Sequence, residues 1–291
     1  MTSSVVKWFT KIPSWAALSL VMNGLLFISL LAIQQEQASS ASQLAADVAI
    51  DPALDTASID AAIADAVIDL PRPGGDRKLN YQEWVEVLDQ DAQAMAAKNP
   101  EHLTVLLGDS LSLWFPGELM PGRRVWINQS ISGERTQGLL NRLDLLEDND
   151  VEAVFLMIGI NDLIWGKTDD EIISNYKEIV RRLKEDHPKT QIVVQSVLPH
   201  SGEQSTWESR DKLLALPSDR IVNMNNALKK IAADNGAYYL DLYPIFVTGD
   251  GDLRTDLTTD GLHLNRQGYL VWRSAIALYA QLELQKGPKK P

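Results

Sequence analysis

Cysteine is missing from all 291 residues. Disulfides, zinc ribbons, iron–sulfur clusters and thiol nucleophiles are excluded together. The redox compartment stays open, because a cysteine-free chain folds on either side of a membrane. Positive charge is also short: 27 Lys and Arg face 39 Asp and Glu, a net −12. That balance argues against a nucleic-acid or anionic-membrane binder, both of which need a cationic face. Histidine is scarce, with four residues, at 102, 187, 200 and 263. Three motifs are absent as well: Gly-x-Ser-x-Gly, His-Glu-x-x-His and the phosphate-cradling Gly-x-x-x-x-Gly-Lys. No cofactor and no metal are therefore expected. What is present is a globular composition, 45% hydrophobic and 23% charged, in a length ample for one ordinary domain and tight for two. Catalysis must come from Ser, His, Asp or Glu.

The chain opens on an apolar run of nineteen residues from Trp15 to Ile33, interrupted only by Ser19, Asn23, Gly24 and Ser29. At about 1.5 Å per residue it spans roughly 30 Å, a bilayer core. Lys7 and Lys11 precede it and Glu36 follows, a bias that holds the start of the chain in the cytoplasm and sends the body across. The run exceeds the usual h-region of a cleaved signal peptide, so residues 1–36 read as an uncleaved transmembrane anchor. Cleavage at Ser39-Ser40-Ala41 is the alternative, and it would release a secreted protein. Either way the body lies outside the cytoplasm, in the periplasm or at the cell surface. Residues 37–76 are rich in Ala, Asp and Ser, with six Asp between Leu44 and Leu70, and read as a solvated linker.

From residue 77 strands and helices alternate. Tyr81–Ala97 reads as a helix. Apolar runs at His102–Leu107, Val151–Ile158, Gln191–Val197 and Ala237–Leu242 read as strands, with a weaker one at Arg124–Ile127. Ile172, Tyr176, Ile179 and Leu183 share one helical face, and Thr168 with Glu171 forms a capping box ahead of it. Trp272, Ala275, Tyr279 and Leu282 mark a last helix. Near-continuous apolar strands separated by helices imply a parallel sheet covered on both faces. Ligands of such sheets bind at the carboxyl ends of the strands.

Four blocks lie at those ends. The first strand runs into Gly108-Asp109-Ser110, the next into Ser130-Ile131-Ser132-Gly133, and the third into Gly159-Ile160-Asn161-Asp162; Asp260-Gly261-Leu262-His263 precedes the last helix. A serine is inert at neutral pH unless an adjacent base takes its proton. Of the four histidines, His263 alone has a carboxylate three residues before it in a turn-like context. Asp260 can accept its Nδ1 proton and leave Nε2 facing Ser110. Backbone N–H groups at Ser110 and Gly133 and the side-chain amide of Asn161 offer three donors to a developing oxyanion. Ser112 is expected on the helix after Ser110, outside the chemistry.

With these blocks in this order, the sequence resembles the SGNH-hydrolase superfamily, the GDSL-type esterases and lipases, over roughly residues 100–285. The resemblance implies a flavodoxin-like three-layer α/β/α fold with a five-stranded parallel sheet. It also implies Ser110 as nucleophile, Asp260 and His263 completing a triad, and Gly133 and Asn161 as oxyanion donors. Ile160 stands where many members carry Gly. The hydrolase domain is placed at 77–286 and a basic tail at 287–291.

The expected activity is serine ester hydrolysis through an acyl-enzyme, with a small-molecule, lipid or glycan ester as substrate. Two alternatives use the same pocket: a carbohydrate O-acetylesterase or O-acetyltransferase, and a tethered glycan-binding domain without turnover. Trp114, Trp165 and His200 are the expected substrate contacts, and Phe115, Met120, Ile164 and Trp207 also stand near strand ends. The stretch from Pro199 to Pro217 reads either as a mobile lid or as a short helix. Residues 77–285 carry 21 Lys and Arg against 31 Asp and Glu, a net −10, so membrane association is expected from the anchor alone.

Overall fold

The computed structural model describes residues 79–122 and 124–284. The anchor and linker expected at 1–36 and 37–76, and the tail at 287–291, lie outside the described residues. Among the described residues no helix is long and apolar enough to cross a membrane.

Helix α1 (Tyr81–Lys98) is started by a capping box in which Asn80 accepts from the Glu83 N–H and the Glu83 side chain accepts from the Asn80 N–H. Strand β1 (Leu103–Gly108) leads at once into the one-turn helix α2 (Ser110–Leu113). Strand β2 (Val125–Ser130) is followed by α3 (Thr136–Leu140), and β3 (Ala153–Met157) by the short α4 (Ile160–Ile164) and the long α5 (Asp169–Asp186). Strand β4 (Gln191–Gln195) precedes α6 (Arg210–Leu214) and α7 (Ser218–Asp234). Strand β5 (Tyr238–Leu240), α8 (Tyr243–Phe246) and α9 (Arg266–Leu282) complete the domain.

The five strands form one sheet in the order β2-β1-β3-β4-β5, with every pairing parallel. This is the flavodoxin-like order, whose switch point lies between β1 and β3. Every residue of β1, β3 and β4 is buried, as strands covered on both faces require. Alternate side chains reach opposite layers. On one face Gln129 donates to the Leu88 carbonyl of α1 at 2.9 Å. On the other, Gln195 accepts from the indole N–H of Trp272 in α9 at 2.7 Å.

Two elements differ from their sequence patterns. Strand β2 runs on past Ile127 through Asn128, Gln129 and Ser130, because each of these polar side chains is bonded inside: Asn128 to the Ser112 carbonyl, Gln129 to Leu88, Ser130 to the Leu106 carbonyl. In α9 Leu282 is 53% exposed, and Ile276, one turn after the buried Trp272, takes the inner position instead. The face of α5 follows its pattern: Ile172, Tyr176, Ile179 and Leu183 are buried, and Thr168 and Glu171 form the capping box.

Candidate active site

The tight passage from β1 to α2 sets the position of Ser110. A Cβ on Gly108 would lie 2.2 Å from the Met157 carbonyl oxygen and 2.4 Å from Ser112 Oγ, so only glycine lets β1 approach β3 and α2 this closely. Asp109 caps α2 by accepting from the Leu111 N–H at 3.0 Å. Ser110 is then the first helical residue, and its N–H has no intrahelical acceptor. Ser112 lies on α2, buried.

Ser110 Oγ stands 3.1 Å from His263 Nε2, and His263 Nδ1 stands 2.7 Å from Asp260 Oδ2. Ser110 and His263 are both buried. A carboxylate only accepts, so Nδ1 carries the proton and Nε2 is free to take one from Ser110. Asp260 is held in turn: its Oδ1 accepts from the backbone N–H groups of Leu262 at 2.9 Å and His263 at 2.8 Å. Burial pushes its carboxyl pKa up, but the His263 ring and the two N–H groups outweigh burial and leave it below the usual value. The turn between them needs Gly261, which sits at φ +93° and where a Cβ would lie 2.6 Å from the Ser205 backbone. The arrangement can move a proton from a hydroxyl to an imidazole beside a fixed anion.

Gly133 and Asn161 belong to a second hydrogen-bonded unit. Gly133 turns the chain after β2 with φ +75°, in the left-handed region glycine favours. Asn161, in the first turn of α4, donates Nδ2 to the Glu134 carbonyl at 3.1 Å. One Nδ2 hydrogen therefore ties Asn161 to the Gly133 loop, and the second is left for a ligand. Two pairs that sequence reading missed hold this loop. Glu134, buried, accepts from Arg142 Nε at 2.8 Å and Nη2 at 2.5 Å, and from Tyr81 at 3.1 Å. Asp162 accepts from the Thr136 N–H at 2.9 Å and its hydroxyl at 2.7 Å. Burial raises the Asp162 pKa, and the two Thr136 bonds oppose that rise.

Trp114 and Trp165 are each 48% exposed. The Trp114 indole lies against the His263 imidazole, centroids 4.2 Å apart. His200 is buried, and both its ring nitrogens are engaged within the protein: Nδ1 accepts from the Gly202 N–H at 3.1 Å, so Nε2 donates to the Leu216 carbonyl at 2.8 Å. The ring thus pins the segment after β4 and offers no free nitrogen to a ligand. Of the two readings of residues 199–217, the short helix is present as α6, after a single turn at Gly202–Gln204. The segment is tied to the triad, since the Thr206 and Trp207 N–H groups and the Ser205 hydroxyl all donate to the Asp260 carbonyl. Among the described residues no group of three His, Asp or Glu side chains is placed to hold a metal ion.

Residues 99–271 match the family model described as the GDSL-like lipase/acylhydrolase family. The platelet-activating factor acetylhydrolase IB subunit alpha1 of Bos taurus is 26% identical over 182 residues, 60% of this chain and 72% of that protein. An N-acylneuraminate cytidylyltransferase of Streptococcus agalactiae is 26% identical over 62% of this chain but only 39% of its own length. Among solved structures, a GDSL-like lipase of Bacteroides thetaiotaomicron shares the fold at TM-score 0.55 and 18% identity, covering 68% of this chain and 98% of that one.

Proposed function

Because the chain belongs to the GDSL-like lipase/acylhydrolase family, we propose that Ser110 is the nucleophile of an acyl-enzyme cycle run by His263 and Asp260. Membership makes the chain a carboxylic ester hydrolase; the roles of its residues are our reading. One observation carries it: the buried relay from Ser110 Oγ through His263 to Asp260, at 3.1 and 2.7 Å.

In this reading Ser110 Oγ attacks the ester carbonyl while His263 Nε2 takes its proton. The oxyanion is met by the N–H groups of Ser110 and Gly133 and by the free amide hydrogen of Asn161. Each such donor is typically worth about 3–4 kcal/mol of barrier. The tetrahedral intermediate collapses, and the leaving alcohol carries off the proton from Nε2. Water then repeats the sequence, releasing the acid and restoring Ser110. The full chain should release p-nitrophenol from p-nitrophenyl acetate, and Ser110→Ala should lose nearly all of that activity. Equal turnover by the two proteins would overturn the assignment.

A second reading, a carbohydrate O-acetylesterase with the same triad, is favoured by the surroundings of Gly133. A cavity of about 590 Å³ opens there, and Ser132, Gln137, Ser174 and Asn175 in its wall offer hydrogen bonds that suit a hydroxylated alcohol. Acetate release from an acetylated oligosaccharide, set against hydrolysis of a palmitoyl ester, separates the two readings.

The proposed setting is a body of residues 77–286 held outside the cytoplasm by an anchor at 1–36 and a tether at 37–76. Its support is the apolar run Trp15–Ile33 with its preceding Lys7 and Lys11. Protease added to spheroplasts, whose outer barrier is open and whose cytoplasmic membrane is sealed, should remove the hydrolase domain, and protection of that domain there would overturn the topology.

A further inference from the structure

Segments that follow three different strands meet on one exposed indole at the end of the helix that carries Asn161. The guanidinium carbon of Arg135 lies 5.8 Å from the Trp165 ring centroid, and the Lys212 ammonium lies 5.2 Å from it. Both are within the range of cation–π attraction. Nearby cations are neutralised one by one: Lys167 by Glu171 at 3.2 Å, Arg220 by Asp169 at 2.8 Å, Arg210 by Glu203. Arg135 and Lys212 form no ion pair among the described residues. Asp162 acts on Arg135 through its charge without an ion pair, and its two oxygens accept from Thr136. In a chain of net charge −12, two cations without a salt-bridge partner converge on one ring, where they repel each other and can pair with an added anion.

Each member also grows out of a wall of the active site. Arg135 follows Gly133 by two residues and lines the same cavity. Trp165 closes the short helix that carries Asn161, donating its N–H to the Asn161 carbonyl at 3.1 Å. Lys212 stands on α6, in the segment whose Thr206 and Trp207 N–H groups hold the Asp260 carbonyl at 2.8 and 2.9 Å.

We propose that Arg135, Trp165 and Lys212 form an anion subsite, and that the esters this enzyme prefers carry a carboxylate or a phosphate held there. The proposal rests on Ser110 as nucleophile only for its kinetic readout. The two cations supply charge-assisted hydrogen bonds to the anion, and the indole offers a flat apolar surface to the group that bears it.

The test uses the full chain and matched acetyl esters: 4-acetoxybenzoate and 4-acetoxyphenyl phosphate as anions, 4-acetoxybenzamide as the neutral analogue, each corrected for its hydroxide-catalysed rate. The expected ratio of kcat/KM, anion over neutral, is about tenfold at low salt, the size of one charge-assisted contact. It should fall toward one in the double variant Arg135→Gln/Lys212→Gln and in high salt. The larger ratio of the two anions identifies carboxylate or phosphate as the preferred group. A ratio near one in the unmodified protein, or one untouched by both the double variant and salt, would overturn the subsite. A second arm does not depend on turnover: calorimetric binding of 4-acetoxybenzoate to Ser110→Ala should weaken about tenfold when the two cations are removed. If no ester is hydrolysed, the nucleophile reading fails while this arm still decides the subsite.

Discussion

Thr136 gives both of its donors, the backbone N–H and the hydroxyl, to the carboxylate of Asp162 at 2.9 and 2.7 Å. The pair links the start of α3, just past Gly133, to the helix that presents Asn161. Asp162 is thus a positioning residue for the two groups proposed to meet the oxyanion. Asp162→Ala should lower kcat by about one to two orders of magnitude, less than the outright loss of one oxyanion donor. KM should change little, because the missing interaction is made in the transition state. Steady-state kinetics on p-nitrophenyl acetate read this split. A rise in KM at unchanged kcat would assign Asp162 to substrate binding instead.

Asp260→Asn should be far more damaging than its size suggests. The two backbone N–H groups of Leu262 and His263 hold the Oδ1 position, so the amide carbonyl must stay there. The amide nitrogen then faces His263 Nδ1 and donates to it, which forces the ring proton onto Nε2, the atom that should accept from Ser110. A drop in kcat of about 10⁴ is expected, as for a wrong-tautomer triad. A drop below tenfold would show that the carboxylate does not set the tautomer.

The residues of the relay were legible because the reaction restricts them. Few side chains can attack, accept a proton or orient a ring, and in a parallel sheet they must follow strand ends, so Ser110, Asn161 and the pair Asp260 and His263 stand out. The residues that hold the site were hidden for the opposite reason. Glu134 and Arg142 lie eight residues apart on either side of the short helix α3, so no single element's periodicity pairs them, and either residue alone reads as surface. Thr136 and Asp162 meet across 26 residues of chain. Gln129 and Ser130 at the end of β2 lie beyond the apolar strand pattern, because their partners Leu88 and Leu106 come from other elements. His200 looked available because nothing local shows that Leu216 and Gly202 occupy both ring nitrogens.

Asp109 predicts a pH dependence of stability. Burial pushes its carboxyl pKa from 3.8 up to about 7; the Leu111 N–H opposes that rise, and the nearby Glu134 and Asp162 charges add to it. An acid whose folded pKa lies above its unfolded one binds its proton more tightly when folded. Its contribution to stability is therefore lost as pH rises from the unfolded value to the folded one, and is level beyond. Asp109→Asn cannot ionise and keeps an oxygen for the Leu111 N–H, although its NH₂ falls where Oδ2 has no partner. Urea unfolding at pH 5 and pH 8 should show the unmodified protein losing about 2–3 kcal/mol relative to the variant over that interval. Parallel pH profiles would place the Asp109 pKa outside this window.

Arg142 and Glu134 form a buried ion pair that also anchors the Gly133 loop, since Arg142 Nη2 donates to the Gln129 carbonyl at 2.9 Å as well as to Glu134. Arg142→Met leaves a buried carboxylate with Tyr81 as its remaining side-chain donor, and loss of one partner from such a pair costs about 3–5 kcal/mol. Replacing both residues removes the stranded charge, so Glu134→Leu/Arg142→Met should recover most of that stability. Catalysis should not recover with it, because the Glu134 carbonyl that receives Asn161 Nδ2 then sits on a loop without its anchor. Urea melts and kcat measured on all three variants separate the two effects. A double variant that regains both stability and kcat would mean that the ion pair serves the fold and has no part in placing Asn161.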